Sequence, residues 1–121
     1  MRKPTRSILA SSAVAAVLAC MTFIMPVSAF ADALEDGKTV AYDRKKGNCL
    51  ACHAMADGDM PGNIGPPLVA MKARFPDKAK LRAQVWDATA KNANTMMPPF
   101  GKHKILSEKE IDLVVEFVLT L

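Results

Sequence analysis

From Ile8 to Ala31 the chain carries no charge, after a start that holds Arg2, Lys3 and Arg6 without an acid. Beyond Asp32 the pattern changes to short amphipathic segments separated by proline- and glycine-rich stretches. In the first segment, residues 32–46, Leu34, Gly37, Val40 and Ala41 recur at helical spacing with Tyr42 at the edge, and Gly47 is the expected stop. Leu68, Met71 and Phe75 fall at i, i+3 and i+7. This predicts a short helix ending before Pro76, because a residue preceding proline resists the α region. Asp77 is the expected cap of a further helix to about residue 91, with Leu81, Val85 and Ala88 inward. The last segment is the clearest. Ser107 and Glu110 have the spacing of a capping box, and Ile111, Val114, Val115, Val118 and Leu119 form a core-facing stripe. Residues 48–67, after a first helical turn, and residues 92–104 read as irregular. With no period-2 strand pattern and no internal repeat, the sequence predicts one small all-α domain.

Composition changes meaning once the start of the chain is set apart. A basic opening, an apolar middle and the small-residue pattern Ala29-Phe30-Ala31 before Asp32 read as a secretory signal peptide over residues 1–31, with the domain at 32–121. The alternative is an uncleaved membrane anchor, but Ser11, Ser12, Thr22, Pro26 and Ser28 dilute the run. The whole chain has 121 residues, a formal charge of +4 and three cysteines. Residues 1–31 hold three of the basic residues, none of the acids, and Cys20, so the remainder has 13 Lys+Arg against 12 Asp+Glu. A nucleic-acid reading loses its support. The remaining domain has one Trp, one Tyr and three Phe, a small core that gains from a cofactor to pack around.

The chemistry lies in Cys49-Leu50-Ala51-Cys52-His53, the C-x-x-C-H signature of haem c attachment. On a helical turn, residues three apart share a face, so two thiols reach the two vinyl groups of one porphyrin, and His53 is carried under the ring towards the iron. Three other uses of the cysteines fit less well. A thioredoxin-like dithiol expects a βαβ context, and zinc needs two further ligands where only His53 and His103 are at hand. A disulfide across two residues removes little loop entropy.

The ligand on the other side of the iron decides between electron transfer and small-molecule chemistry, because a methionine closes the site and raises the potential. Beyond residue 31 the methionines are Met55, Met60, Met71, Met96 and Met97. Met71 sits on an apolar stripe, and Met55 and Met60 are close to the attachment turn. Met97 is the best candidate, since Pro98 holds it extended and Pro99 stiffens its loop. Met96 and His103 stay open as alternatives, and loop packing is the bland reading of Met97.

With these residues in place, the chain resembles the class I cytochromes c. More specifically, it is similar to the SoxX family, the small monohaem cytochrome subunits of bacterial thiosulfate-oxidising Sox systems. The likeness rests on Gly47-Asn48-Cys49 through His53, Ile64-Gly65-Pro66-Pro67-Leu68, Arg74-Phe75-Pro76-Asp77, Val85-Trp86-Asp87-Ala88-Thr89, and Met97-Pro98-Pro99-Phe100-Gly101-Lys102-His103 with Ile105-Leu106. It spans nearly all of residues 37–121. The resemblance implies terminal helices that cross at the small Gly37 and Ala41. It also implies one covalently bound haem c held by Cys49 and Cys52, with Pro66 and Leu68 in the haem site. His53 would be the proximal iron ligand, its other ring N–H donated to the Pro66 carbonyl, and Met97 the distal ligand. The partners it implies are a SoxA-like cytochrome subunit, the SoxYZ carrier indirectly, and an acceptor cytochrome c. The leader, cleaved near Ala31, implies export to the periplasm. A freestanding soluble electron shuttle is the alternative, and a haem sensor or peroxidase requires that no methionine bind the iron.

Other residues carry two readings each. Trp86 fits a core position better than a haem-propionate donor. Arg74 fits either a propionate partner or a solvated cation, and Lys45, Lys46, Lys72, Lys102 and Lys104 either a ring around an exposed haem edge or an ordinary surface. Residues 54–63 match no motif.

Overall fold

The computed structural model describes residues 27–121, so the expectations for most of the leader, Cys20 included, lie outside the described residues. Helix α1 spans Val27–Tyr42, α2 Met71–Arg74, α3 Lys78–Trp86 and α4 Glu108–Val118, with 3-10 turns at Cys49–Ala51 and Ala88–Ala90. Among the described residues there is no strand, only an isolated parallel bridge between Met55 and Leu68. None of the described helices is long and apolar enough to cross a membrane.

The most extensive contact in the fold is the crossing of α1 and α4. Gly37 makes it possible, because a Cβ there would lie 2.2 Å from the Leu113 carbonyl oxygen and 2.8 Å from its carbon. Ala41 is fully buried beside it. The stripe of α4 is buried as its spacing predicts at Ile111, Val114, Val115 and Val118, with Leu119 at the margin. Phe117, off that stripe, is buried as well and meets the Tyr42 ring edge to face with centroids 6.0 Å apart. The capping box is complete: the Ser107 hydroxyl accepts from the Glu110 N–H and the Glu110 carboxylate accepts from the Ser107 N–H.

Four boundaries differ from the sequence expectation, and three of them have a local reason. Helix α1 starts five residues before Asp32 and stops at Tyr42 instead of residue 46. Its end is made by Asp43, whose carboxylate accepts from Lys45 N–H and whose carbonyl accepts from Lys46 and Asn48. Gly47 instead returns the chain against the helix, its N–H donating to Val40. Leu68 is not helical. It pairs with the Met55 segment through its N–H on the Ala54 carbonyl, and α2 begins only after Ala70 takes a left-handed backbone, φ 51°. Asp77 does cap α3, accepting from Ala79 N–H, but the helix ends at Trp86 instead of residue 91 because Asp87 caps a separate turn through Thr89 N–H. Leu81, Val85 and Ala88 face inward as expected.

Residues 54–63 are tied to α1. Lys38 Nζ lies 2.9 Å from Asp57 Oδ2, and the Tyr42 hydroxyl donates between Asp57 Oδ1 at 3.2 Å and the Met55 carbonyl at 3.3 Å. The Lys38 ammonium beside it holds the Asp57 carboxyl below its ordinary value, and burial pushes the Tyr42 phenol up.

Candidate functional site

A cavity of about 700 Å³ opens between the attachment turn, α2, α3, α4 and the loop before α4. Leu81 and Val85 come from α3, Val114 and Val118 from α4, and Phe100 and Leu106 from the loop, so α4 is buried on two sides at once. This size and apolar lining suit a cofactor as large as a porphyrin.

Cys49, Cys52 and His53 all line this cavity, carried by the 3-10 turn Cys49–Ala51 and the residues after it. The turn closes with Cys52 N–H and His53 N–H both donating to the Cys49 carbonyl. Cys49 and Cys52 are not joined to each other in a disulfide. Burial pushes the Cys49 thiol up to about 11, so it is neutral at pH 7 and lacks the lowered pKa of a reactive dithiol. Among the described residues no three His, Cys, Asp or Glu side chains are grouped to hold a bare metal ion. The donor set fits a porphyrin-borne iron instead, with one imidazole at the cavity wall.

That imidazole is fixed from two sides. His53 Nδ1 lies 2.7 Å from the Pro66 carbonyl oxygen, to which it donates when protonated there, leaving Nε2 free for iron. A Cβ on Gly65 would stand 2.3 Å from His53 Cε1, 2.5 Å from Nδ1 and 2.8 Å from Nε2. Only glycine lets the backbone lie this close against the ring. Its N–H donates to Cys52 and the Leu68 N–H donates to Ala54, which brings the proline segment against the attachment turn. Pro66 and Leu68 both line the cavity, Leu68 half-buried.

The methionines separate by environment. Met55 is buried in the core, and Met60 is exposed. Met71 touches the cavity, but it is 2% exposed and its sulfur accepts from Arg74 at 3.4 Å. Met96 and Met97 both line the cavity, Met96 with 74% of its surface exposed and Met97 half-buried against the core. The Met97 loop is anchored on both flanks. Met97 N–H donates to Thr95 Oγ1, and Gly101 and Lys102 N–H donate to the Trp86 carbonyl. A Cβ on Gly101 would collide with the Trp86 ring, so Trp86 serves as the seat of this loop and stands outside the cavity lining. His103 is exposed and also outside it.

Of the basic residues, Arg44, Lys45, Lys46 and Arg74 border the cavity, while Lys72, Lys102 and Lys104 do not. Lys46 pairs with Glu110 at 2.6 Å and Lys102 with Asp87 at 2.8 Å, so two of the five lysines act within the surface of this chain. Sequence reasoning missed the Gly65 clearance and the Tyr42–Asp57 tie. Glycine before the proline pair was a visible signal for the first.

Comparison with known proteins agrees with this geometry. The model of the family described as cytochrome C oxidase, cbb3-type, subunit III matches residues 32–118. The crystal structure of SoxXA from P. pantotrophus is similar with a TM-score of 0.64 and 30% sequence identity, over 71% of this chain and 79% of that one. None of the curated proteins matches. The helices, the cavity with its C-x-x-C-H turn and these two matches lead to one conclusion: the chain belongs to the cytochrome c family of the cbb3-type subunit III domain, and is a SoxX-like electron-transfer cytochrome with a covalently bound haem c.

Proposed function

We propose that this chain is the electron-transfer subunit of a SoxAX-type complex in the periplasm, exported by a leader that is cleaved near Ala31. Cys49 and Cys52 would hold the haem through thioethers, and His53 and Met97 are the residues that would bind its iron. The observation that carries the ligand reading is His53 donating to Pro66 within a cavity that Met97 also lines, half-buried where Met96 is exposed. A haem held by these residues would supply one-electron transfer.

The chain's own residues do the rest. The Pro66 carbonyl orients His53 and strengthens it as a donor, while the apolar walls from α3 and α4 keep water from the cofactor. Joining thiosulfate to a carrier thiol forms one S–S bond and releases two electrons and one proton. Cys49 and Cys52 are committed to the cofactor, and the described residues hold no other thiol. Sulfur chemistry therefore belongs to a SoxA-like partner acting on SoxYZ, and this chain relays electrons to an acceptor cytochrome. The SoxXA complex among the similar structures supports this partner.

Copurification from native periplasm tests the proposal. A stable complex with a second, SoxA-like cytochrome subunit is the expected result. A lone monohaem species at native abundance supports the freestanding shuttle instead.

A further inference from the structure

Pro66 and Pro67 have no N–H, so the segment that presents the carbonyl to His53 has no backbone donor of its own. The flanking donors are Gly65 N–H to Cys52 and Leu68 N–H to Ala54. Between them stands one further hydrogen bond: Arg74 Nη1 donates to the Pro67 carbonyl at 2.9 Å. The same nitrogen donates to the Met71 sulfur at 3.4 Å, which fixes the guanidinium against the single turn of α2. That turn is itself fastened by Met71 N–H on the Leu121 carbonyl. Among the described residues Arg74 forms no ion pair; it borders the cavity, and its Nη1 donates to the proline segment and a thioether.

We propose that Arg74 is a positioning residue for the proximal ligand. By gripping the Pro67 carbonyl it holds the Pro66–Pro67 segment at the angle at which Pro66 accepts from His53, and so controls how strongly His53 binds iron. The flanking Gly65 and Leu68 N–H groups fasten the two ends of the proline pair, and a side-chain donor from outside the segment is what holds its middle. A charge-assisted donor is the stronger kind. This inference rests on His53 as the proximal ligand.

Hydrogen exchange of the His53 Nδ1 proton, followed by NMR of the oxidised haem-loaded protein, tests it. Arg74→Met should exchange that proton at least about tenfold faster than the parent, the loss of one hydrogen bond from a charged donor. The acceleration should persist at high salt, which screens the guanidinium's field but not the loss of a hydrogen bond. Arg74→Lys, which keeps a charged donor, should recover most of the protection. Amide exchange in α4 should stay at the parent rate. If Arg74→Met loads no haem, Arg74→Gln replaces it under the same criteria. An unchanged Nδ1 rate overturns the proposal, as does an acceleration that vanishes at high salt or is matched by the α4 amides. If the parent itself shows no iron-shifted ring proton, His53 is not the ligand, and both this inference and the ligand reading beneath it fail.

Discussion

Replacing Gly37 by alanine tests whether the crossing of α1 and α4 is as tight as the backbone indicates. The added Cβ would lie 2.2 Å from the Leu113 oxygen, 2.8 Å from its carbonyl carbon and 3.0 Å from Phe117 Cβ, against an ordinary contact of 3.4 Å or more. The nearest two atoms are backbone, so no rotamer change relieves the clash and the helices must part by about 1 Å. Overpacking costs ~1–3 kcal/mol, and a backbone obstruction places this site at the upper end. Alanine in a helix interior returns about 1 kcal/mol relative to glycine. The net loss is about 2 kcal/mol, which lowers Tm by roughly 10 °C in a domain of this size. Thermal unfolding of the haem-loaded protein, followed by far-UV circular dichroism, measures it. Thr39→Ala, at an exposed position of the same helix, is the control and should stay within about 0.5 kcal/mol of the parent. A Tm for Gly37→Ala equal to or above the parent's would refute the reasoning.

Gly65→Ala pushes a methyl group into the His53 ring and should weaken its bond to Pro66, giving a raised reduction potential and high-spin features in the absorption spectrum; a spectrum and potential identical to the parent's would contradict the clearance argument. Glu110 is held down to about 2 from 4.5, first by the Lys46 ammonium and then by Ser107. Its folded pKa lies below the unfolded one, so its stabilisation is full above about pH 4.5 and is lost as pH falls towards about 2. The Tm difference between the parent and Glu110→Gln should therefore shrink over that window, and a difference that stays constant or grows would show that the Lys46 pair does not act as described.

Helices with explicit end signals were legible in the sequence: Asp77 and the Ser107–Glu110 box open α3 and α4 where their spacing says. What periodicity alone misplaced was decided by single side chains. Asp43 and Asp87 end or restart the chain by accepting nearby N–H groups, an option open to any aspartate and seldom visible as a pattern. Leu68 matched a helical stripe with Met71 and Phe75, yet the left-handed backbone at Ala70 breaks the segment between them. Phe117 lies off the stripe because α4 packs on α1 and on the cavity at once, and a single-face template allows only one burial surface. The C-x-x-C-H motif was readable because covalent attachment demands both residue type and spacing, and the fold brings Cys49, Cys52 and His53 to the cavity. The Met96–Met97 doublet was not, since exposure is a property of the folded loop, where both line the cavity but Met97 is half-buried against the core and Met96 largely exposed. Residues 54–63 carried no motif because their role is to be held, through Tyr42 and Lys38 on a distant helix.

An electron-transfer iron closed by His53 and Met97 is the central proposal, and the absorption spectrum of the oxidised protein tests it most directly. A methionine–iron charge-transfer band should be present in the parent, persist in Met96→Ala and vanish in Met97→Ala. A band absent from the parent, or one that survives in Met97→Ala and is lost in Met96→Ala, would contradict it.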